Sequence, residues 1–227
     1  DSLITHFELP SERVVTVSAG YETPRLPSVN DPSVSPLARS LLESGRPFFV
    51  YPAVTHPHKN HSTVLRAFAA LRDSDRQPLL VFTGGAGAAH GQVDDLVRTL
   101  ELGDSVLRLG RVRREVLDLL IGRAEALVFP SEFEGFGIPI LEAMALGCPV
   151  IAADATAVPE VVGSAGILVP PTDVEAWRAT MAERLADNPP RAEVAAAGRA
   201  RAARYAWAAS GERLEAVYRV AAGGVAG

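Results

Sequence analysis

Cysteine is almost missing from this sequence. The 227 residues include a single cysteine, Cys148, so the chain cannot form an internal disulfide. Cys148 falls between a predicted helix end and a predicted strand start, where a small buried residue is common. A chain that makes no use of disulfides is typical of a reducing compartment. We therefore interpret Cys148 as a core residue and not as a nucleophile.

Excess positive charge and long apolar runs are also lacking. Acidic residues outnumber basic residues by 27 to 22, and the formal net charge is −5 at pH 7. Nucleic-acid binding usually needs a concentrated basic surface, so this balance argues against a nucleic-acid partner. No apolar run approaches the roughly 20 residues of a membrane-spanning helix, and the first residues do not have the pattern of a signal peptide. These features predict a soluble, cytoplasmic protein.

Lysine is as scarce as cysteine. Of the 22 basic residues, only Lys59 is a lysine, and the others are arginines. A lysine ammonium is a compact point charge, whereas an arginine guanidinium is a planar fork. The retention of one lysine indicates a site that needs a point charge.

Short apolar runs alternate with helical patterns along most of the chain. Strands are predicted at 47–54, 79–83, 105–109, 126–129, 149–153 and 166–169, and helices at 36–44, 62–72, 92–102, 115–123, 139–146, 159–162, 174–187, 190–205 and 208–221. This alternation predicts an α/β fold with a doubly wound parallel sheet. Ligands of such sheets bind at the carboxyl ends of the strands.

The beginning of the chain follows a different pattern. Residues 1–21 predict the end of a helix, a turn and a strand at 14–18, which together cannot build a core. Residues 22–45 are rich in proline and predict a linker followed by the short helix. We expect residues 1–21 to be the tail of an N-terminal domain.

The stretch FPSEFEGFGIPILEAMALGCPV, which directly follows a predicted buried strand, carries the strongest chemical signal. Gly135 and Gly137 let the backbone approach a ligand closely, and Pro139 suits the first turn of a helix. Backbone N–H groups at such a junction favour an anion. Glu134 and Glu142 bracket the junction, and carboxylates accept hydrogen bonds from hydroxyls. A ligand with both phosphates and sugar hydroxyls fits this combination.

The string EGFGIPILE resembles the E-x7-E signature of retaining GT-B glycosyltransferases of the family-4 type, and PHKNH resembles a mannosyltransferase-like subgroup. The resemblance implies that residues 46–206 are the nucleotide-sugar-binding, Rossmann-like C-terminal half of a GT-B fold. Residues 207–227 would be a helix that crosses back to the N-terminal domain, which binds the acceptor. The implied activity is transfer of a sugar, with retention, from a GDP- or UDP-sugar such as GDP-mannose to an unknown acceptor. Neither a metal nor another cofactor is implied.

The resemblance also implies a role for individual residues. Lys59 and Glu134 would be the catalytic residues, with Lys59 on the diphosphate and Glu134 on the donor sugar, while Glu142 would bind the ribose hydroxyls. Fixed positive charge on the departing diphosphate lowers the barrier. The other implied donor-binding residues are Gly84, Gly85, Arg111, Val112, Gly135, Phe136, Gly137 and Ile138. The T-x-x-P-E element that begins at Thr156 is interpreted as structural.

The sequence departs from the family pattern at one position. Family members commonly carry an arginine five residues before the lysine as a second diphosphate ligand, and this chain has Val54 there. The second positive charge must then come from Arg111, Arg113 or a residue of the N-terminal domain.

Three alternatives remain open. The segment TGGAGAAHG, which begins at Thr83, is a near-match to a dinucleotide-binding fingerprint and would suit an NAD-binding or nucleotide-sensing module without catalysis. His56, His58 and His61 share one loop, but no nearby acid or cysteine completes a metal-ligand set. A GT-B sugar-nucleotide epimerase would share the fold.

Overall fold

The computed structural model describes residues 2–22, 24, 26–72 and 74–223. The chain divides into a smaller unit, bounded by Asp1–Glu22 and Arg204–Gly227, and a larger unit, Thr23–Ala203. Position 1 of the predicted tail, positions 23 and 25 of the predicted linker, and positions 224–227 of the predicted last helix lie outside the described residues. The domain bounds expected from the sequence stay a prediction.

A six-stranded sheet forms the centre of the larger unit. Its strands are β1 (Phe48–Pro52), β2 (Leu79–Thr83), β3 (Val106–Gly110), β4 (Ala126–Phe129), β5 (Val150–Ala153) and β6 (Ile167–Val169). The spatial order is β3-β2-β1-β4-β5-β6, and every neighbouring pair is parallel. The predicted doubly wound parallel sheet is confirmed.

The strands are apolar because helices cover both faces of the sheet. Every residue of β2, β4 and β5 is buried, which is the pattern expected of central parallel strands. The helices of this unit are α2 (Pro36–Glu43), α3 (His61–Ala69), α4 (His90–Thr99), α5 (Arg114–Arg123), α6 (Ile138–Ala145), α7 (Val158–Val162), α8 (Val174–Leu185) and α9 (Arg191–Ala203). Each predicted helix and strand of this unit is present, with bounds that shift by a few residues.

The helices pack in two groups. Helix α3 contacts α4 and α8, whereas α6 contacts α5, α7 and α9. Helix starts follow local chemistry: Ser35 Oγ accepts a hydrogen bond from the Ala38 amide at 3.2 Å, and Asp173 Oδ1 accepts one from the Ala176 amide at 3.0 Å. In the described residues, no helix is long and apolar enough to cross a membrane.

In its described residues, the smaller unit contains two α-helices, α1 (Ser2–Phe7) and α10 (Trp207–Gly223), and a short 3-10 helix, Ser11–Arg13. The predicted strand at 14–18 is wrong, because none of these residues forms a strand or pairs with one in the described part of the chain. Among the described residues of this unit, β-pairing is limited to one isolated parallel bridge between Tyr21 and Ala206. Beta-branched side chains favour extended backbone, but a strand also needs a partner.

Candidate active site

The two predicted motifs meet where the sheet reverses its order. Strands β1 and β4 are neighbours at the centre of the sheet, and the connections after them run to helices on opposite sides. This switch point is the usual ligand crevice of a doubly wound sheet. The two connecting loops are joined directly, because the Glu132 amide donates a hydrogen bond to the His58 carbonyl at 2.8 Å.

Lys59 and Glu134 form an ion pair at this point. Lys59 Nζ lies 2.5 Å from Glu134 Oε1, and the side chains are 20% and 14% exposed. The same ammonium lies 5.8 Å from the centroid of the Phe129 ring, within range of a cation–π contact. The structure therefore places both predicted catalytic residues side by side in a mostly buried setting.

The backbone around Lys59 is held by buried polar side chains. The Tyr51 hydroxyl donates a hydrogen bond to the Lys59 carbonyl at 2.5 Å. Asn60, which adopts a left-handed conformation with φ 50°, donates from Nδ2 to the carbonyls of Pro130 at 3.3 Å and Pro171 at 2.7 Å. These contacts tie the lysine loop to the loop that carries Glu134.

Tyr51 is suited to this role because its phenol stays protonated. Burial raises the pKa of Tyr51, and the nearby Glu134 carboxylate adds to this effect, while a hydrogen bond with Ser131 opposes it. The Ser131 hydroxyl lies 3.3 Å from the phenol oxygen. The phenol is therefore a dependable hydrogen-bond donor over the physiological pH range.

Glu134 is positioned through its backbone. The Thr156 hydroxyl accepts a hydrogen bond from the Glu134 amide at 3.0 Å and donates one to the Glu134 carbonyl at 3.1 Å. Thr156 has a φ of 50°, which is unusual for a β-branched residue. Sequence reasoning treated Thr156 as structural and missed its contact with Glu134. The T-x-x-P-E element was the available signal.

Gly135 and Gly137 lie between the two acids, and the structure requires glycine at only one of these positions. Gly137 has a φ of 100° and precedes α6, so its conformation requires glycine. A methyl group added at Gly135 would meet nothing within 4 Å. Phe136 is partly buried and Ile138 is 41% exposed. The turn therefore presents Gly135 and Ile138 to the outside.

Glu142 has a different partner from Glu134. It is 4% exposed, and its Oε1 lies 2.7 Å from Nη1 of Arg114. Arg114 also donates from Nε to Oδ1 of Asp118, which is 2% exposed, at 2.8 Å. Burial favours the neutral form of Arg114, but the Glu142 and Asp118 carboxylates raise its pKa overall, so it stays charged. Sequence reasoning missed Arg114, because spacing gives no sign that α5 meets α6 here.

The remaining predicted donor-binding residues lie at the ends of β2 and β3. Gly84 has a φ of 124°, and an added methyl group would lie 2.4 Å from the Ala53 carbonyl oxygen. Its amide donates a hydrogen bond to the Gly110 carbonyl at 2.8 Å. The close approach made by Gly84 is thus to the neighbouring backbone. At Gly85, the nearest atom to an added methyl group would be Nε of Arg111, at 3.7 Å.

A cavity of about 160 Å³ opens beside these glycines. Its lining combines the polar side chains of Thr55, Thr83, His90 and Arg108 with Ala53, Phe82, Ala86 and the glycines Gly84, Gly85 and Gly110. The half-buried Val112 follows this edge of the sheet along the chain.

The three loop histidines do not converge. His56 and His58 are exposed and stack with ring centroids 5.9 Å apart. His61 is 2% exposed and packs instead against Tyr51 and Phe82, with ring centroids at 4.7 and 5.1 Å. Within the described ranges, no group of three or more His, Cys, Asp or Glu side chains is arranged to hold a metal.

The chain belongs to the family described as glycosyl transferases group 1, which matches residues 37–201. Among curated proteins, it is 32% identical over 206 residues to O-antigen chain mannosyltransferase B of Escherichia coli, covering 90% of this chain and 54% of that protein. It is 35% identical over 175 residues to the MMP alpha-(1->4)-mannosyltransferase of Mycolicibacterium hassiacum, covering 75% of this chain and 42% of that protein. The chain spans about half the length of these relatives.

Solved structures share the fold. Sucrose-phosphate synthase from Thermosynechococcus elongatus superposes with a TM-score of 0.78 at 27% identity, covering 92% of this chain and 52% of that one. A glycosyltransferase from Rickettsia africae gives a TM-score of 0.79 at 19% identity, covering 96% of this chain and 60% of that one. The predicted membership of a glycosyltransferase family and the predicted fold are therefore confirmed.

Proposed function

We propose that this chain is the donor-binding part of an enzyme that transfers a hexosyl group from a nucleotide-sugar with retention of configuration. The observation that carries the proposal is the 2.5 Å contact between Lys59 and Glu134 at the switch point of the sheet. A lone ammonium next to a carboxylate suits a ligand that has a diphosphate beside sugar hydroxyls. Because two of the similar proteins are mannosyltransferases, GDP-mannose is the proposed donor, with a UDP-sugar as the competing choice.

Lys59 is proposed to stabilise the departing nucleoside diphosphate. Its ammonium has three N–H donors, so it can hold a phosphate oxygen while it remains close to Glu134. Negative charge grows on the diphosphate as the sugar carbon becomes oxocarbenium-like. A positive charge fixed in advance lowers the energy of that state more than that of the intact donor.

Arg111 is proposed as the second cation on the diphosphate, in place of the arginine that is absent at Val54. Val54 packs toward Gly87, where an added methyl group would lie 2.9 Å from its Cγ1. Arg111 is exposed, and its Nε lies beside Gly85. Its guanidinium can bind phosphate oxygens in a bidentate manner.

The two acids are proposed to hold the hydroxyls at either end of the donor. Glu134 and the backbone of Phe136, Gly137 and Ile138 would contact the sugar, since they lead into the first turn of α6. Glu142 would accept hydrogen bonds from the ribose. The base would lie against the backbone of Val112. The donor is a co-substrate, and no metal is part of this proposal.

The acceptor is proposed to bind to a second, N-terminal domain of the same enzyme. The basis is that the relatives are about twice as long as the matched part. This chain is therefore expected to bind the donor, whereas transfer of the sugar also requires the second domain.

A calorimetric titration tests the donor proposal. GDP, UDP, GDP-mannose, UDP-glucose and NADH are titrated into the wild type, Glu142→Gln and Glu132→Gln. We expect a nucleoside diphosphate or its sugar to bind the wild type, and Glu142→Gln to bind it about tenfold or more weakly, because a hydrogen bond to a charged group is lost. Glu132 is exposed in the loop before α6, so Glu132→Gln should behave as the wild type. Binding of NADH alone would refute the proposal.

A further inference from the structure

Arg114 links two buried acids across two helices. It lies in the first turn of α5 and bonds Asp118 one turn later and Glu142 on α6, at 2.8 and 2.7 Å. The Asp118 and Glu142 side chains are 2% and 6% exposed, whereas that of Arg114 is 36% exposed. Ion pairs join the three residues in the order Asp118–Arg114–Glu142, with the more exposed guanidinium between the two buried carboxylates.

The geometry of a guanidinium restricts Glu142. The Nε and Nη1 donors are fixed in one plane, so holding Nε on Asp118 also fixes the direction in which Nη1 meets Glu142. A buried carboxylate without a cation is costly, so Glu142 is expected to keep this contact. Nη2 of Arg114 is buried and has no hydrogen-bond partner among the described residues.

We propose that Arg114, itself oriented by Asp118, is a positioning residue for the donor ribose. The inference rests on the proposed function, in which Glu142 accepts hydrogen bonds from the ribose hydroxyls. A carboxylate has about four lone-pair directions, so bonding to Arg114 at Oε1 is compatible with bonding to a hydroxyl. A carboxylate held in place loses little rotamer freedom on binding, so the entropic cost of binding is smaller and the affinity for the ligand is higher.

The competing explanation is that the ion pair only stabilises the contact between α5 and α6. In that case its removal lowers the stability of the protein, and all nucleotides weaken equally. A positioning role instead weakens only ligands that carry ribose hydroxyls. The difference between a ribonucleotide and its dideoxy form therefore separates the two explanations.

The test measures dissociation constants of the full chain for GDP and 2′,3′-dideoxy-GDP, and for UDP and 2′,3′-dideoxy-UDP, by calorimetry. Whichever of GDP and UDP binds the wild type more tightly, we expect it to bind about tenfold or more tightly than its own dideoxy form. In Arg114→Met this ratio should fall to within about threefold of one. Asp118→Asn should lower the ratio less, because Arg114 keeps its contact with Glu142.

Two variants complete the design. Arg123→Met removes an exposed guanidinium at the other end of α5 and should leave the ratio unchanged. Arg114→Lys keeps the charge, but one ammonium cannot hold both acids in the same geometry. This variant should therefore also lower the ratio. It provides the measurement if Arg114→Met does not fold.

The outcomes are distinct. A ratio in Arg114→Met and Arg114→Lys equal to that of the wild type overturns the inference. A wild type that binds ribonucleotides and dideoxynucleotides equally also overturns it, while nucleotide binding itself stands. A wild type that binds no nucleotide contradicts the proposed function.

Discussion

His61 gives the stability of this protein a pH dependence that can be calculated from the structure. The imidazole is 2% exposed, packs against Tyr51 and Phe82, and has no hydrogen-bond partner for either nitrogen in the described part of the chain. Burial lowers the pKa of His61 from 6.5 to about 4, and the positive charges of Arg108 and Lys59 act in the same direction. The folded protein therefore keeps this ring neutral.

The sign and size follow from the difference between the folded and unfolded states. Between pH 6.5 and about 4, the unfolded chain binds a proton at His61 and the folded chain does not, so stability falls as the pH falls. Above pH 6.5, His61 is neutral in both states, so the protein keeps its full stability with respect to this residue. Since one pKa unit corresponds to 1.36 kcal/mol, the loss at pH 4.5 is about 2 to 3 kcal/mol.

The assay compares urea unfolding of the wild type and His61→Phe at pH 7.5 and pH 4.5. Phenylalanine has a similar shape and does not titrate, so we expect the variant to lose about 2 to 3 kcal/mol less than the wild type between these pH values. Changes at other acids are shared by both proteins and cancel. His58→Phe, at an exposed position, should follow the wild type. Equal losses in wild type and His61→Phe would refute the reasoning.

Three further predictions concern glycine, cysteine and threonine. Gly84→Ala should destabilise the protein by about 2 kcal/mol or more in urea unfolding, because Gly84 has a φ of 124° and no room for a methyl group. Gly91→Ala is the control: a methyl group there meets nothing within 4 Å and should not destabilise the protein. Equal effects of the two substitutions would contradict this. Burial raises the pKa of Cys148 to about 12, so iodoacetamide at pH 8 should modify it only after unfolding, and rapid native labelling would disprove the assignment. Thr156→Ala should weaken binding of the nucleotide-sugar more than of its nucleoside diphosphate, because its hydroxyl holds Glu134; Thr156→Ser should not, and equal weakening of both ligands would argue against this role.

The sheet could be predicted because its strands are short apolar runs bounded by turn residues. Strands β2 and β4 occur with the predicted bounds, since each is buried along its whole length. The predicted strand at 14–18 failed for the opposite reason: its local composition favours extended backbone, but nothing in that composition reports the absence of a neighbouring strand.

The meeting of Lys59 and Glu134 was predictable because both follow parallel strands, whose carboxyl ends share one edge of the sheet. Arg114 was not predictable in this way. Its contact with Glu142 depends on how α5 packs against α6, and neither helix pattern encodes which of its polar residues will face the other. The T-x-x-P-E element marks Thr156, but its bonds to Glu134 depend on the path of the loop after β5.

The central claim is that Lys59 holds the diphosphate of a nucleotide-sugar next to Glu134. The most direct measurement is a calorimetric titration of GDP and UDP into the wild type, Lys59→Met and Arg66→Met, which removes an exposed positive charge from the following helix. We predict that one of the two diphosphates binds the wild type and Arg66→Met alike, and binds Lys59→Met about tenfold or more weakly. Equal affinity of a folded Lys59→Met variant and the wild type for that diphosphate would contradict the account.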